Sequence, residues 1–414
     1  MPLSVEYADL SLAQQVLERQ SSEHLPEMRR FLAQWCSMLP GIEGTGLILS
    51  AFLPYNIAAN TAGHAALLLL QEVHEGAANH MKQTLNAYID ADQQIHNALS
   101  VASQMIGGSP LPYHAPSLPT LGAAEQSASQ WYGQPDPILH KQVERDIEAM
   151  KSYLQGLPEQ LSQRVEKAQS TNRSISEAHN ASSYLVPPQA PTSEMENLRW
   201  KAGPIVGAYD WLVEQLTGIS VINDVILKYT VGDWRIVHRA KTAWSEIGDA
   251  LIAVGRNDSE ILPALSEWTG KGSEAANVFI AALAMGTQSL QGATSIMSTI
   301  LSGLVFIIKK AAGEVLKVLA DIEEACINTL VDAAVPVVGW IKGAVDVARY
   351  AWKIYSKIMD IYAIFNMIFD IFESIVEGKD GSVIGCKQFS CSGDACGRLI
   401  MGCRRMLGVE DRAA

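Results

Sequence analysis

The fold class is decided by the stretch GDWRIVHRAKTAWSEIGDALIAV, residues 232–254. Asp233 stands where the N-cap of a helix is expected, with Trp234 as the first helical residue. Apolar side chains then recur every three or four positions, which is the spacing of one face of an α-helix: Val237, Ala240, Trp244, Ile247, Leu251 and Val254. Because a helix with one apolar stripe cannot bury it alone, this stretch predicts helices packed against helices.

The composition of the whole chain favours the same all-α class. Hydrophobic residues make up 48% of the 414 residues and aromatic residues only 7%, a mixture typical of helical packing and not of a β-rich fold. The formal net charge of −13 argues against nucleic acid or an anionic membrane surface as the main partner, since both require a basic surface.

The first hundred residues predict an antiparallel helical hairpin. Apolar residues at helical spacing predict a first helix over residues 12–39, which Pro26 kinks or splits in two. A short helix is expected over residues 47–53, where Pro54 stops it, followed by a long amphipathic helix from Ile57 to Leu99. Neither helix can bury its stripe without the other.

The rest of the chain divides by its composition. A second hairpin is expected to contain an apolar patch around residues 209–226, the helix from Trp234, which loosens at Gly255–Ser259, and another helix after Gly270. The predicted units are a hairpin in 1–104, a linker and spacer helix in 105–193, a second hairpin in 194–325, C-terminal helices in 326–377, and a cysteine-containing tail in 378–414.

The sequence carries no recognisable catalytic chemistry. His74 and His80 are six positions apart and so lie on different helical faces, whereas a zinc-binding helix needs them at i and i+4. The glycine-rich loop 41–46 is not followed by the Lys and Ser or Thr of a phosphate-binding loop, and no nucleophile motif is present. We therefore expect a protein that is not an enzyme and that uses no cofactor and no metal ion.

Two short motifs stand out against this background. Tyr88 and Asp92, in Tyr88-Ile-Asp-Ala-Asp92, are four residues apart and share one face of the long helix. Trp268-Thr-Gly270 lies where one helical pattern stops and the next begins. A glycine there accepts a positive φ, and the tryptophan can pack over the end of the hairpin with its N–H at the rim. The simpler interpretation of the second motif is a helix C-cap next to a core tryptophan.

These motifs resemble the two halves of the export signal in the WxG-motif family secreted by type VII (ESX) systems of actinobacteria. Residues 5–100 are similar to the EspC-like group of secretion-associated proteins, and residues 195–290 look like a WxG hairpin. The resemblance implies a secreted or cell-surface, virulence-associated effector that leaves without a Sec signal peptide, with Tyr88, Asp92, Trp268 and Gly270 as the signal. It implies the secretion machinery as a partner.

One departure from the family pattern affects the expected assembly. The first hairpin has no W-x-G at its turn, and the second has no Tyr-x-x-x-acid after its turn, so each carries half of the signal. We expect the two hairpins to pack together in cis as one four-helix bundle, or to pair with a separate WxG-family protein.

Two further segments leave alternatives open. Cys386, Cys391, Cys396 and Cys403 lack the spacing typical of structural zinc; an exported protein favours two disulfides, with a metal site or unpaired thiols as the other choices. Residues 275–308 contain no charge and are long enough to span a membrane, although their polar interruptions favour a buried core helix. The alternative function is accordingly a membrane-active, pore-forming or bilayer-perturbing effector.

Overall fold

The computed structural model describes residues 6–38, 46–106, 108–110, 112–126, 175–189, 199–227, 232–265 and 268–332. Within these ranges the chain forms α-helices, shorter helical turns and no β-strand, apart from an isolated bridge between Gln126 and His179. The all-α prediction is confirmed for this part of the chain. The predicted spacer helix, most of the C-terminal helices and the four tail cysteines lie outside the described residues.

The first arm of the molecule is one helical path from Tyr7 to Cys36. It consists of α1 (Tyr7–Arg19), a π-helical segment (Gln20–His24), α2 (Leu25–Phe31) and a second π-helical segment (Leu32–Cys36). Pro26 sits in the first turn of α2, and the wider π-helical turn directly before it accommodates the missing proline N–H and its ring. The arm therefore continues past Pro26.

The second arm, α3 (Leu47–Met105), is a single helix that contains Pro54. The prediction that Pro54 stops a short helix is wrong. Tertiary packing on both sides of the proline explains the difference: Phe52 is fully buried and stacks on Tyr55, with ring centroids 6.3 Å apart. The buried Asn56 side chain accepts a hydrogen bond from the Met38 N–H (2.8 Å) and donates one to the carbonyl oxygen of Cys36 (3.0 Å). Together these contacts outweigh the lost helical hydrogen bond.

The first arm and α3 run in opposite directions. Met38 bonds to Asn56, Arg29 donates to the Gln71 side chain at 3.0 Å, and Tyr7 bonds to Asp92. The partners lie farther apart in sequence as the contacts move toward the N-terminus, which is the arrangement of two antiparallel segments.

Between α3 and the last two helices lies shorter helical structure. It comprises 3₁₀ turns at Ala181–Tyr184 and Arg199–Ala202, α4 (Pro204–Thr217), and a π-helical segment at Val221–Leu227. Gly218 ends α4 in a left-handed conformation, with φ at 76° and its N–H donating to the carbonyl oxygen of Glu214 at 2.7 Å.

Helix α5 (Trp234–Ala264) starts as the sequence predicts, because the Asp233 side chain accepts a hydrogen bond from the Arg235 N–H at 3.0 Å. The expected loosening at Gly255–Ser259 is wrong, since the helix continues through it. Asn257 and Asp258 are fully buried there, and each has a partner outside α5: Asn257 bonds to the backbone of His179, and Asp258 Oδ2 meets His74.

Helix α6 (Lys271–Asp332) follows the turn at residues 268–270 and crosses the predicted unit boundary at 325/326. It runs antiparallel to α5: Lys309 lies 5.1 Å from the ring centroid of Trp234, while Gly255 faces Ala284 closer to the turn. A Cβ placed on Gly255 would lie 2.6 Å from the carbonyl oxygen of Ala284, so the two backbones approach closely at this point.

Two buried apolar clusters join both arms to α5 and α6. The first gathers residues around the turn between α2 and α3, including Leu32, Phe52, Trp244 and Leu301. The second lies at the other end of the molecule and includes Leu17, Leu85, Leu265 and Ile280. This second cluster packs the turn at residues 268–270 against α1 and the later half of α3.

The described parts of the predicted linker lie against the helices. The Gln15 side chain donates to the carbonyl oxygen of Pro119 and accepts from the N–H of Leu121, both at 2.8 Å. Asn257 makes two hydrogen bonds with the backbone of His179, at 2.8 and 2.7 Å. These segments are therefore fixed to α1 and α5 at several points.

Candidate functional site

The two motifs singled out in the sequence meet in the fold. The indole N–H of Trp268 lies 3.4 Å from the hydroxyl oxygen of Tyr88, although the two residues are 180 positions apart in the chain. Trp268 is 7% exposed and belongs to the second buried cluster, and Tyr88 is half-buried at the edge of that cluster. The tryptophan thus has an apolar ring in the core and a polar N–H directed at the rim.

Gly270 shapes the turn that brings Trp268 to this position. Its φ is 123°, a value that side-chain-bearing residues rarely adopt, as the sequence predicts for this glycine. Its carbonyl oxygen accepts hydrogen bonds from the Glu274 N–H (3.1 Å) and the Ser273 hydroxyl (2.8 Å), which fixes the first turn of α6.

Asp92 lies one turn beyond Tyr88 on α3 and is exposed. Its Oδ2 accepts a hydrogen bond from the hydroxyl of Tyr7, which also lies 3.5 Å from the carbonyl oxygen of Tyr88. Burial, followed by the hydrogen bond to Asp92, raises the pKa of Tyr7 to about 12, so Tyr7 stays protonated and donates. Sequence reasoning missed Tyr7, because no motif marks a single tyrosine in the first turn of a helix.

The site is therefore a composite of three elements. Tyr7 comes from the start of α1, Tyr88 and Asp92 from α3, and Trp268 and Gly270 from the turn between α5 and α6. Such an arrangement offers a hydroxyl and a carboxylate to a binding partner on a rigid helical support.

Two buried ionic contacts hold the elements around this site, and no sequence motif predicts either of them. The first is centred on Glu177, which meets Arg19 (2.5 Å) and His24 (2.7 Å) of the first arm. Burial alone would raise the pKa of Glu177, but the hydrogen bonds from His24 and Arg19 prevail and hold it below its usual value. The carboxylate therefore stays ionised and fastens the segment around residue 177 to the first arm.

The second contact joins α3 to α5. His74 Nε2 lies 3.0 Å from Asp258 Oδ2, and its Nδ1 lies 2.8 Å from the carbonyl oxygen of Leu70. Burial acts to lower the pKa of His74, but the Asp258 carboxylate and the Leu70 carbonyl outweigh it and raise the pKa above the ordinary value. His80, by contrast, is exposed, so the two histidines lie on different faces as predicted.

The part of the chain that the structure describes holds no group of three or more His, Cys, Asp and Glu side chains arranged to bind a metal ion. Cys36 in this part is a buried free thiol whose pKa is raised by burial.

Among the described residues, one helical segment is long and apolar enough to cross a membrane, Gly272–Asp321 within α6. In its most apolar window 61% of the residues are buried inside the fold. That burial is typical of a core helix as well, and length and composition do not separate the two roles.

Comparisons with protein-family models, with curated proteins and with solved structures find no match to this chain.

Proposed function

We propose that the protein is an exported effector of a type VII (ESX) secretion system, recognised through Tyr88, Asp92, Trp268 and Gly270. The observation that carries the proposal is the 3.4 Å hydrogen bond between Trp268 and Tyr88, which joins the two half-signals in one molecule. In this proposal the protein has no catalytic activity and needs no cofactor. Its destination is the cell surface or the medium.

The two helical hairpins form a single four-helix bundle in cis, in the place of a heterodimer of two proteins. Support comes from both buried clusters, since each combines residues of the first two arms with residues of α5 and α6. No separate WxG-family protein is then needed to complete the signal, and the secretion machinery is the partner.

The signal residues have different tasks in this proposal. Asp92 is exposed and contacts the machinery, with Oδ2 held by Tyr7 and Oδ1 directed to the partner. Trp268 is buried and acts as a positioning residue, because its N–H orients the hydroxyl of Tyr88. Gly270 permits the turn that carries Trp268.

The decisive experiment compares Asp92→Ala with Asp90→Ala. Both aspartates are exposed and lie two residues apart on α3. Asp90→Ala should change stability by no more than a few tenths of a kcal/mol, and Asp92→Ala, which removes the hydrogen bond from Tyr7, should lower it by about 0.5–1.5 kcal/mol, so both proteins should remain folded. We expect Asp92→Ala to lower the amount of protein in the culture supernatant at least tenfold, which is about 1.4 kcal/mol of binding. Asp90→Ala should be secreted normally.

The same assay is run in a host strain that lacks the type VII system. Wild-type protein should then remain in the cells. Equal amounts in the supernatants of both strains would refute export by this route, and normal secretion of a folded Asp92→Ala protein would refute the role of the motif.

A membrane-active effector is the second candidate function, favoured by the uncharged segment within α6. Since most of this segment is buried, insertion requires the bundle to open. The full-length protein should then release a dye trapped in lipid vesicles, and intact vesicles at pH 5 and at pH 7 would exclude this activity.

A further inference from the structure

Helix α4 is amphipathic in the reverse sense, with its apolar side turned to solvent. Ile205, Tyr209, Leu212 and Leu216 recur at i, i+4, i+7 and i+11, which is a single helical stripe. Their exposed fractions are 59%, 65%, 50% and 77%. Trp200, Trp211 and Ile219 are further apolar side chains of this segment that are each about half exposed.

The two acidic residues of α4 lie on the side of the helix that faces Arg199, whereas Gln215 and Thr217 are exposed. Asp210 is 1% exposed, and its carboxylate meets Arg199 (2.8 Å), the Ser220 hydroxyl (2.8 Å) and the Ile222 N–H (2.8 Å). Glu214 also contacts Arg199. This network of charged and polar groups fixes the helix in its orientation, so the outward direction of the apolar stripe is specified by the fold.

The charge of this surface identifies its partner. The four residues of the stripe carry no charge, and both acids of α4 contact Arg199 on the other side of the helix, in a chain whose net charge is −13. A basic protein would find no charge on the stripe to pair with. An anionic membrane would be repelled by the negative net charge of the chain. An uncharged stripe of Ile, Tyr and Leu matches the interface of a zwitterionic bilayer, where aromatic rings lie at the level of the headgroups.

The size of α4 defines how it would meet the bilayer. Its 14 residues make a rod of roughly 21 Å. That is shorter than the hydrocarbon core of a bilayer, which is about 30 Å thick. The helix also packs on α6, which contains the segment apolar enough to cross a membrane.

We propose that the outer face of α4, centred on Tyr209 and Leu216, is a surface that docks the folded protein in the plane of a zwitterionic membrane. This inference stands apart from export, because it uses none of the residues of the secretion signal. It also differs from insertion of α6, since docking leaves the bundle closed.

The test uses the full-length protein and vesicles of phosphatidylcholine. The double variant Tyr209→Gln/Leu216→Gln changes two exposed side chains, so its thermal unfolding should match that of the wild type. The matched control is Ile95→Gln/Leu99→Gln on α3, whose side chains are 59% and 56% exposed. We expect the α4 variant to float with vesicles at least tenfold less than wild type and the α3 variant to float equally well.

Each other result overturns the proposal. Wild-type protein that does not float, or two variants that are affected alike, would show that the face of α4 does not bind lipid specifically. A wild-type dimer in sedimentation that the α4 variant abolishes, without vesicle binding, would identify a second copy as the partner instead.

Discussion

At the residue scale, the contact between His74 and Asp258 is the clearest case of a polar pair that the fold creates. Both side chains are completely excluded from solvent, and they come from positions 184 apart in the sequence. A charge in such surroundings is costly unless it is paired, so the imidazolium and the carboxylate depend on one another.

Replacing Asp258 by Asn should reveal this dependence through pH. Because the folded pKa of His74 is raised, the stability from its charged form is fully present below the unfolded pKa of about 6.5 and is lost as pH rises through the folded pKa. We expect Asp258→Asn to lower the free energy of unfolding by about 1.5–3 kcal/mol at pH 5.5. The difference from wild type should shrink as the pH is raised above neutrality.

The measurement is urea unfolding of both proteins across this pH range. Asp90→Asn, on an exposed stretch of α3, serves as the control and should show no such trend. A wild-type advantage that stays constant from pH 5.5 to 8.5 would mean that His74 is not charged in the folded protein.

At the scale of elements, the packing of α5 on α6 depends on small residues at chosen positions. Gly255 faces the carbonyl oxygen of Ala284 so closely that a Cβ there would lie 2.6 Å away. Gly286, two residues further along α6, has no atom within 4 Å of the corresponding point. The two glycines therefore serve different purposes, although both are helical.

Alanine at these two glycines should give opposite results. Gly255→Ala forces the helices apart and should lower the free energy of unfolding by about 1–3 kcal/mol. Gly286→Ala meets open space and should raise it by about 0.5–1 kcal/mol, because alanine loses less backbone entropy in a helix. Denaturant unfolding of the two variants checks this, and equal stabilisation by both would contradict the close approach.

Helix α4 shows that apolar periodicity identifies a helix but does not identify which face of that helix is buried. Its apolar stripe is as regular as that of α5, and a regular stripe normally indicates the buried face. Burial of Asp210 instead depends on Arg199, which lies outside the helix and just before it in the chain. A pattern within one helix cannot show which of its two faces finds a partner in the fold.

At the scale of the whole molecule, local signals predicted the helical class, the start of α5 at Asp233 and the positive φ at Gly270. These features depend on residues that are close together in the chain, so they can be predicted from the sequence alone. Continuation of α3 through Pro54 and of α5 through Asn257 depends on contacts with distant segments, whereas the sequence predicted a helix end at Pro54 and a loosened helix at Gly255–Ser259. The contacts of Tyr7 and Glu177 escaped prediction for the same reason.

The hydrogen bond between Trp268 and Tyr88 has a consequence for quality control. An unfolded or half-made chain already contains both short motifs, but it lacks their juxtaposition, since the two residues are 180 positions apart. Under the proposed export function, a secretion receptor that requires both motifs together would select folded molecules. Such a receptor would bind molecules in which the first arm, α3, α5 and α6 have assembled, and it would not bind incomplete ones. No additional protein would be needed to test whether the chain has folded.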